Sequence, residues 1–369
     1  MSFSNRADAL NDLEVKLSDV ITIAIGQIKN LPAPYEPAKN QHLKKAREIA
    51  QQYAYGSGIF KNLPEKACFS KVQRSVFAKQ LMRRLEVPSD TNPGTNGTNQ
   101  GNTYLCGPSA AIHLLLNLDP LNYLKLAILL FETGRARIGK SQVGQTVIGK
   151  LYKETSYFYV SDKMKEVWQL DGDANVTATK YKHGTMGIVD YVMVGALRNA
   201  ANPGHRQRKT RFDPQDNGPI IGIPAVLDEL TLPYEIKGML DKFCGFDVPT
   251  AEWATSGEDP SAFWEALKQG IHVVLFIDGS LSDPLDPKAA EKENKGEHDK
   301  AWKKDSASDV VGSHFVVIRH DYEFSTSPDG KRVNFRYWDY GGRKVPVNTT
   351  LAQFQSSVKG YWFVKPKYW

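Results

Sequence analysis

The sequence predicts an α+β fold, with helices in the first part of the chain and an antiparallel sheet in the last. Three observations predict it. Apolar residues recur at helical spacing in most segments up to Gln269. From His272 onward the runs are short, rich in β-formers and separated by turn residues. The two kinds of run are segregated along the chain, which is the order of α+β rather than of a parallel α/β sheet.

Leu10, Leu13, Leu17, Val20, Ile21, Ala24 and Ile28 mark the first helix, which stops before Pro32 and Pro34. Its apolar stripe is expected to pack on the rest of the protein; docking to a partner or delivery protein is the sharper alternative. A second helix is expected from about His42 to Tyr55. Residues 88–102 are Ser, Asp, Thr, Asn, Gly and Pro-rich, a composition that makes an exposed loop and a boundary. The chain is therefore read as a helical extension, 1–87, and a main domain, 88–369. The main domain opens with an apolar helix from Cys106, ended by Asp119-Pro120, and a second helix over 121–132.

A helical insertion at about 150–230 follows, its clearest helix over 184–201. Helices over 233–243 and 261–269 are closed by Gly245 and Gly270. His272-Val273-Val274-Leu275-Phe276-Ile277 reads as a buried strand, and the Lys/Glu/Asp/Pro-rich stretch 280–308 as an exposed charged loop. Residues 313–324 alternate, Asp329-Gly330 supplies a turn, and 333–340 return antiparallel. Gly341-Gly342 make another turn, and 361–364 give a last strand.

Composition bounds the function. With 369 residues, 41% hydrophobic and 11% aromatic, the chain can bury a core, which excludes wholly disordered, collagen-like and coiled-coil proteins. The net charge of +6 is small, and the densest basic run, 205–211, lies in a loop-like stretch, so no nucleic-acid partner is expected. Cys68, Cys106 and Cys244 are too few and too far apart for a disulfide framework or a zinc site. No metal or other cofactor is expected. No apolar run reaches the ~18 residues of a membrane span, and the first residues lack the layout of a secretory signal. Cytoplasmic synthesis is expected, with export by a specialised secretion system left open.

Cys106 stands where a loop enters an apolar helix, followed by Gly107-Pro108. The positive end of a helix favours thiolate, the reactive form, over thiol. Cys68 and Cys244 sit among apolar neighbours and read as small core residues. A nucleophilic cysteine needs a base. His42 and His205 lie in polar surroundings, His298 in the charged loop, and His113 on the apolar Cys106 helix, where a core role is expected. His314 opens the apolar run Phe315-Val316-Val317-Ile318 after two small residues, and so is the chosen base. The next strand carries Trp338-Asp339-Tyr340, whose acid can hold the imidazole tautomer. Gln100, six positions before Cys106, offers a side-chain amide to the oxyanion of an acyl intermediate.

Gln100, Cys106 on a helix, His314 on a strand and Asp339 on the next resemble the papain-like cysteine peptidase superfamily. Within it, the Cys-Gly-Pro-small-Ala helix start and the Gly-x-His-hydrophobic strand look closest to families related to bacteriocin-processing (double-glycine leader) peptidases. The helix before the Gly245-Phe246 turn and the strand 272–277 add to the likeness, which covers about 100–364 and is loose between 120 and 230. The resemblance implies a papain-like fold, a helical half carrying the cysteine packed on a sheet carrying His and Asp. It also implies a Cys106-His314-Asp339 triad, Gln100 in the oxyanion hole, and a protein or peptide substrate. A Cys-to-His separation of 208 residues and the charged loop depart from the pattern and leave substrate preference untransferred.

Two alternatives stand beside a peptidase. The same triad serves an amidase or deamidase acting on a cell-wall or glutamine amide. Separately, Gly134-Arg135-Ala136-Arg137-Ile138-Gly139-Lys140-Ser141 matches the P-loop pattern, and 273–278 is Walker-B-like. A P-loop requires a strand before and a good helix after; the reading here is a helix before and the Gly- and β-branched-rich 143–149 after. A free-standing hydrolase with an added helical segment also suggests an effector or toxin role.

Overall fold

A computed structural model of the chain describes residues 3–28, 35–86, 98, 105–138, 157–165, 175–176, 186–201, 231, 233–249, 251–253, 260–278, 313–320, 322–339 and 343–366. It combines helices with antiparallel sheet in the predicted order. Two units are distinguished: residues 1–246 with 340–342, and residues 247–339 with 343–369. The helices of the N-terminal extension thus share a unit with the Cys106 helix. The charged loop at 280–308 lies outside the described residues, as does the 88–102 loop except for Thr98, which is fully buried.

The first unit contains α1 (Phe3–Ile28), α2 (Tyr35–Ala54), α3 (Arg74–Arg84), α4 (Cys106–Leu118), α5 (Pro120–Thr133), α6 (Asp162–Lys165), α7 (Ile188–Ala201) and α8 (Pro233–Gly238). Two short antiparallel pairs accompany them, β1 (Arg135–Ala136) with β2 (Phe158–Tyr159) and β3 (Asn175–Val176) with β4 (Met186–Gly187). Helix α2 begins earlier than its periodicity predicts. Pro37 falls in its first turn, where a missing N–H costs no intrahelical bond.

Helix α5 is the centre of this unit: α1, α2, α4 and α7 all pack on it. It is buried on all sides and mostly apolar, as a helix enclosed by others must be. Its ends are set by chemistry legible in the sequence. Asp119 accepts from the Asn122 amide at 3.1 Å and Pro120 takes the first position. At the other end Gly134 adopts φ +78° and donates to Leu130 O at 3.0 Å. The stripe of α1 is buried through Leu13, Leu17, Ile21 and Ala24, as the packing reading expects.

Buried polar links cross-tie the helices. Glu132 of α5 accepts from Tyr53 of α2 (2.5 Å) and from Nε and Nη2 of Arg74 of α3 (2.6 and 2.8 Å). Arg84 of α3 pairs with Asp190 of α7, and Gln80 Oε1 accepts the Val189 amide at 2.7 Å, satisfying a donor at the α7 N-terminus.

Lys125 of α5 is only 2% exposed. Burial lowers its pKa to about 8, against the pull of Glu14 and Asp119. Between about pH 8 and the ordinary lysine value of about 10.4, the unfolded chain binds a proton that the folded chain does not. Folding stability from this site therefore rises with pH across that window, and falls as pH drops through it. Lys125→Met is expected to be more stable than wild type near pH 7.5, with the gap closing towards pH 10.5. Urea denaturation at both ends of the window checks this, and a gap independent of pH would contradict it.

The chain passes between units at β5 (Phe246–Asp247). The second unit then holds β6 (Ala251–Trp253), α9 (Pro260–Lys268), β7 (His272–Asp278), β8 (Ser313–Ile318), β9 (Phe324–Thr326), β10 (Arg332–Asp339), β11 (Arg343–Thr350), α10 (Leu351–Ser357) and β12 (Val358–Pro366). Strands β11, β10, β8, β7 and β12 lie side by side in that order, each antiparallel to its neighbour; β6 adds to β12 and β9 to β10. The expected alternation over 313–324 is interrupted: β8 ends at Ile318, and Tyr322 N–H closes a turn on Arg319 O at 2.9 Å before β9 begins. Gly330 turns the chain at φ +69° into β10, as Asp329-Gly330 predicts.

Leu275 pairs with both Tyr361 and Val316, so these three share one face of the sheet. Phe263 of α9 packs on that face, its ring 4.9 Å from Tyr361, 5.8 Å from Phe354 and 6.1 Å from Phe324. An aromatic cluster thus seals one end of the face.

Candidate active site

Cys106 is the first residue of α4, a 13-residue helix buried along its whole length. Leu105 precedes it with φ −92° and ψ 29°, and its own side chain makes no capping bond. The first intrahelical bond runs from Ser109 N–H to Leu105 O at 2.9 Å. Pro108 has no N–H, so the amides that enter the helix are those of Cys106 and Gly107, with the positive end of the helix dipole behind them. The cysteine is 6% exposed. A helix entrance favours the thiolate and burial opposes it.

The other two thiols differ. Cys244 is buried, its Sγ 4.0 Å from Ala111 O, and burial pushes its pKa far above the ordinary thiol value. Cys68 is half-buried where its own N–H meets Phe131 O and Glu132 O at the end of α5. Neither lies at the N-terminus of a helix.

Gly107 is required by packing. A Cβ on it would lie 2.4 Å from Thr231 Cγ2 and 2.6 Å from Thr231 Oγ1, closer than any side chain tolerates. Thr231 was not anticipated from the sequence. It sits in Leu230-Thr231-Leu232-Pro233, just before α8, with nothing in its spacing to mark it.

In the second unit, His314 occupies β8 opposite Ile277 of β7 and is 7% exposed. Trp338 of β10 lies opposite Val317. Continuing that antiparallel register by one residue sets position 339 opposite Val316, on the same face as His314 and one diagonal step from it. Such diagonal neighbours are about 7–8 Å apart at Cα, within reach of an imidazole and a carboxyl. His314 is also the next residue on this face beyond the aromatic cluster, whose Tyr361 and Leu275 align with Val316.

The structure thus brings His314 and position 339 together on neighbouring strands and places Cys106 at a helix start in the other unit. Gln100 lies outside the described residues. His113 is a core residue, 3% exposed, with Asn117 Nδ2 2.8 Å from its carbonyl and 3.3 Å from its ring. An imidazole pair, His272 and His320, lies 3.3 Å apart and joins the start of β7 to the turn after β8.

The P-loop alternative meets a different context. Gly134 caps helix α5 where the motif needs a strand, and Arg135–Ala136 pair antiparallel with β2. The strand 273–278 is flanked by antiparallel neighbours on both sides. Gly139, Lys140 and Ser141 lie outside the described residues. No helix among the described residues is long and apolar enough to cross a membrane. Comparisons with protein-family models, with curated proteins and with solved structures found no match.

Proposed function

We propose that this chain is a cysteine hydrolase of papain-like fold, most simply a peptidase. Cys106 Sγ attacks a substrate carbonyl carbon, and the carbonyl electron pair moves to oxygen. The C–N bond then breaks, the amine leaves with a proton from His314, and a thioester remains. His314 first takes the thiol proton, or holds the thiolate as an ion pair, and later activates the water that hydrolyses the thioester. Asp339 orients His314, and Gln100 donates to the oxyanion.

The observation that carries this reading is the register of β8 and β10, which sets His314, near the start of an apolar strand, and an acid position on the same face. The entry of Cys106 into α4 supports it from the other unit. An amidase or deamidase uses the same chemistry on a different amide.

The test is intact-mass spectrometry of wild type and Cys106→Ala with candidate proteins and muropeptides, using an electrophilic peptide probe as control. A covalent acyl adduct confined to Cys106, and cleaved product formed only by wild type, is the expected result. Cleavage retained by Cys106→Ala would remove the proposal.

A further inference from the structure

We propose that the Thr231 hydroxyl is an oxyanion donor, joining the Cys106 and Gly107 amides around one negatively charged oxygen at the entrance of α4. This rests on the assignment of Cys106 as nucleophile. Two independent observations carry it.

The first is position. Thr231 Oγ1 lies 2.6 Å from the point a Gly107 Cβ would occupy. A Cβ stands one ~1.5 Å bond from its Cα, so the hydroxyl is within about 4 Å of Gly107 Cα. In a helix every Cα–Cβ bond tilts towards the N-terminus. The hydroxyl therefore lies against the first turn of α4, at Gly107. Only glycine at 107 permits this approach.

The second is the state of the hydroxyl. Thr231 is 1% exposed, and its Oγ1 has no hydrogen-bond partner among the described residues. A buried hydroxyl without a partner is costly and uncommon. Here it lies within about 5 Å of the Gly107 amide nitrogen, in a first turn whose partial positive charge selects for an anion. A hydroxyl supplies a proton towards that anion, in a setting where water competes little. The ligand class is thus a single anionic oxygen, the charge that develops on a carbonyl under attack by Cys106.

Acylation and alkylation of the same sulfur separate the role from its alternatives. With p-nitrophenyl acetate, the Sγ–C bond forms, charge develops on the carbonyl oxygen, and p-nitrophenolate leaves as the C–O bond breaks. With iodoacetamide, sulfur displaces iodide at a saturated carbon and no oxyanion forms. Both are measured on the full chain for wild type, Thr231→Val, Thr231→Ala and Thr231→Ser, with circular dichroism to establish folding. Thr231→Val and Thr231→Ala are expected to acylate about a hundredfold more slowly and to alkylate at the wild-type rate. Thr231→Ser is expected to acylate near the wild-type rate.

Unchanged acylation in Thr231→Val and Thr231→Ala would overturn the inference and leave Cys106 as nucleophile. Acylation and alkylation falling together, or a slow Thr231→Ser, would overturn it too, by showing that packing or the thiol itself is what Thr231 serves. If wild type acylates no faster than Cys106→Ala, the nucleophile assignment fails and this inference falls with it.

Discussion

Cys106→Ala and His314→Ala are each expected to lower turnover by roughly 10⁴- to 10⁶-fold, leaving a background set by substrate binding and oxyanion donors alone. The two losses should not add: the thiolate and its base act as one unit, so the double variant should be no slower than either single one. Asp339→Asn is expected to be about ten- to a hundredfold less damaging, because an acid that only orients the imidazole is the most dispensable member of a triad. Cys68→Ser and Cys244→Ser should keep full activity. Their thiols lie away from any helix entrance, and burial holds Cys244 in the neutral form.

Steady-state rates of the six variants on one cleaved substrate check the series. Alkylation by iodoacetamide, followed by peptide mapping, provides a second readout, with Cys106 modified first. Uniform labelling of the three cysteines would mean that the helix entrance does not activate Cys106. Losses in the double variant that equal the product of the single losses would mean that Cys106 and His314 do not act on one bond.

How much of this was legible in the sequence follows from how local each signal is. The limits of α5 were readable because Asp119-Pro120 and Gly134 act on their own neighbours through a cap and a positive φ. The same holds for Gly245, Gly270 and Gly330, with φ of 76°, 74° and 69°. Helix α3 was not read. Gln73 makes no cap bond, and its buried Phe77, Ala78 and Leu81 sit among Arg74, Lys79, Arg83 and Arg84.

Strand β11 was hidden by Pro346, which argues against a central strand; β11 forms the end of the strand order, and a proline is tolerated at an edge. Site residues divided the same way. Cys106 and His314 announced themselves by a polar or reactive group at the start of an apolar run. Their supporting partners are set by tertiary register. Whether position 339 shares a face with His314 depends on a single cross-strand pair, Trp338 with Val317. The approach of Thr231 to Gly107 spans more than a hundred residues of chain.

The largest effect on stability is expected at Arg74. Its guanidinium makes two bonds to Glu132, whose side chain is fully buried, and two more to the Pro64 and Glu65 carbonyls. Among the described residues, Arg74→Met would leave the Glu132 carboxylate with only the Tyr53 hydroxyl, and breaking a buried pair by removing one partner costs about 3–5 kcal/mol. The lower end is expected, because the Arg74 side chain retains 23% of its exposure.

The loss should reverse when the orphaned charge is removed as well. Arg74→Met/Glu132→Leu/Tyr53→Phe replaces the whole polar group by apolar side chains and is expected to regain most of the stability, since a buried ion pair and its well-packed apolar substitute are close in free energy. Urea midpoints at constant m-value measure both variants. A single Arg74→Met variant within about 1 kcal/mol of wild type would show that the Arg74–Glu132 pair contributes no more than an exposed ion pair does. A triple variant no better than the single one would place the loss in packing, with Arg74 acting through its methylene stem.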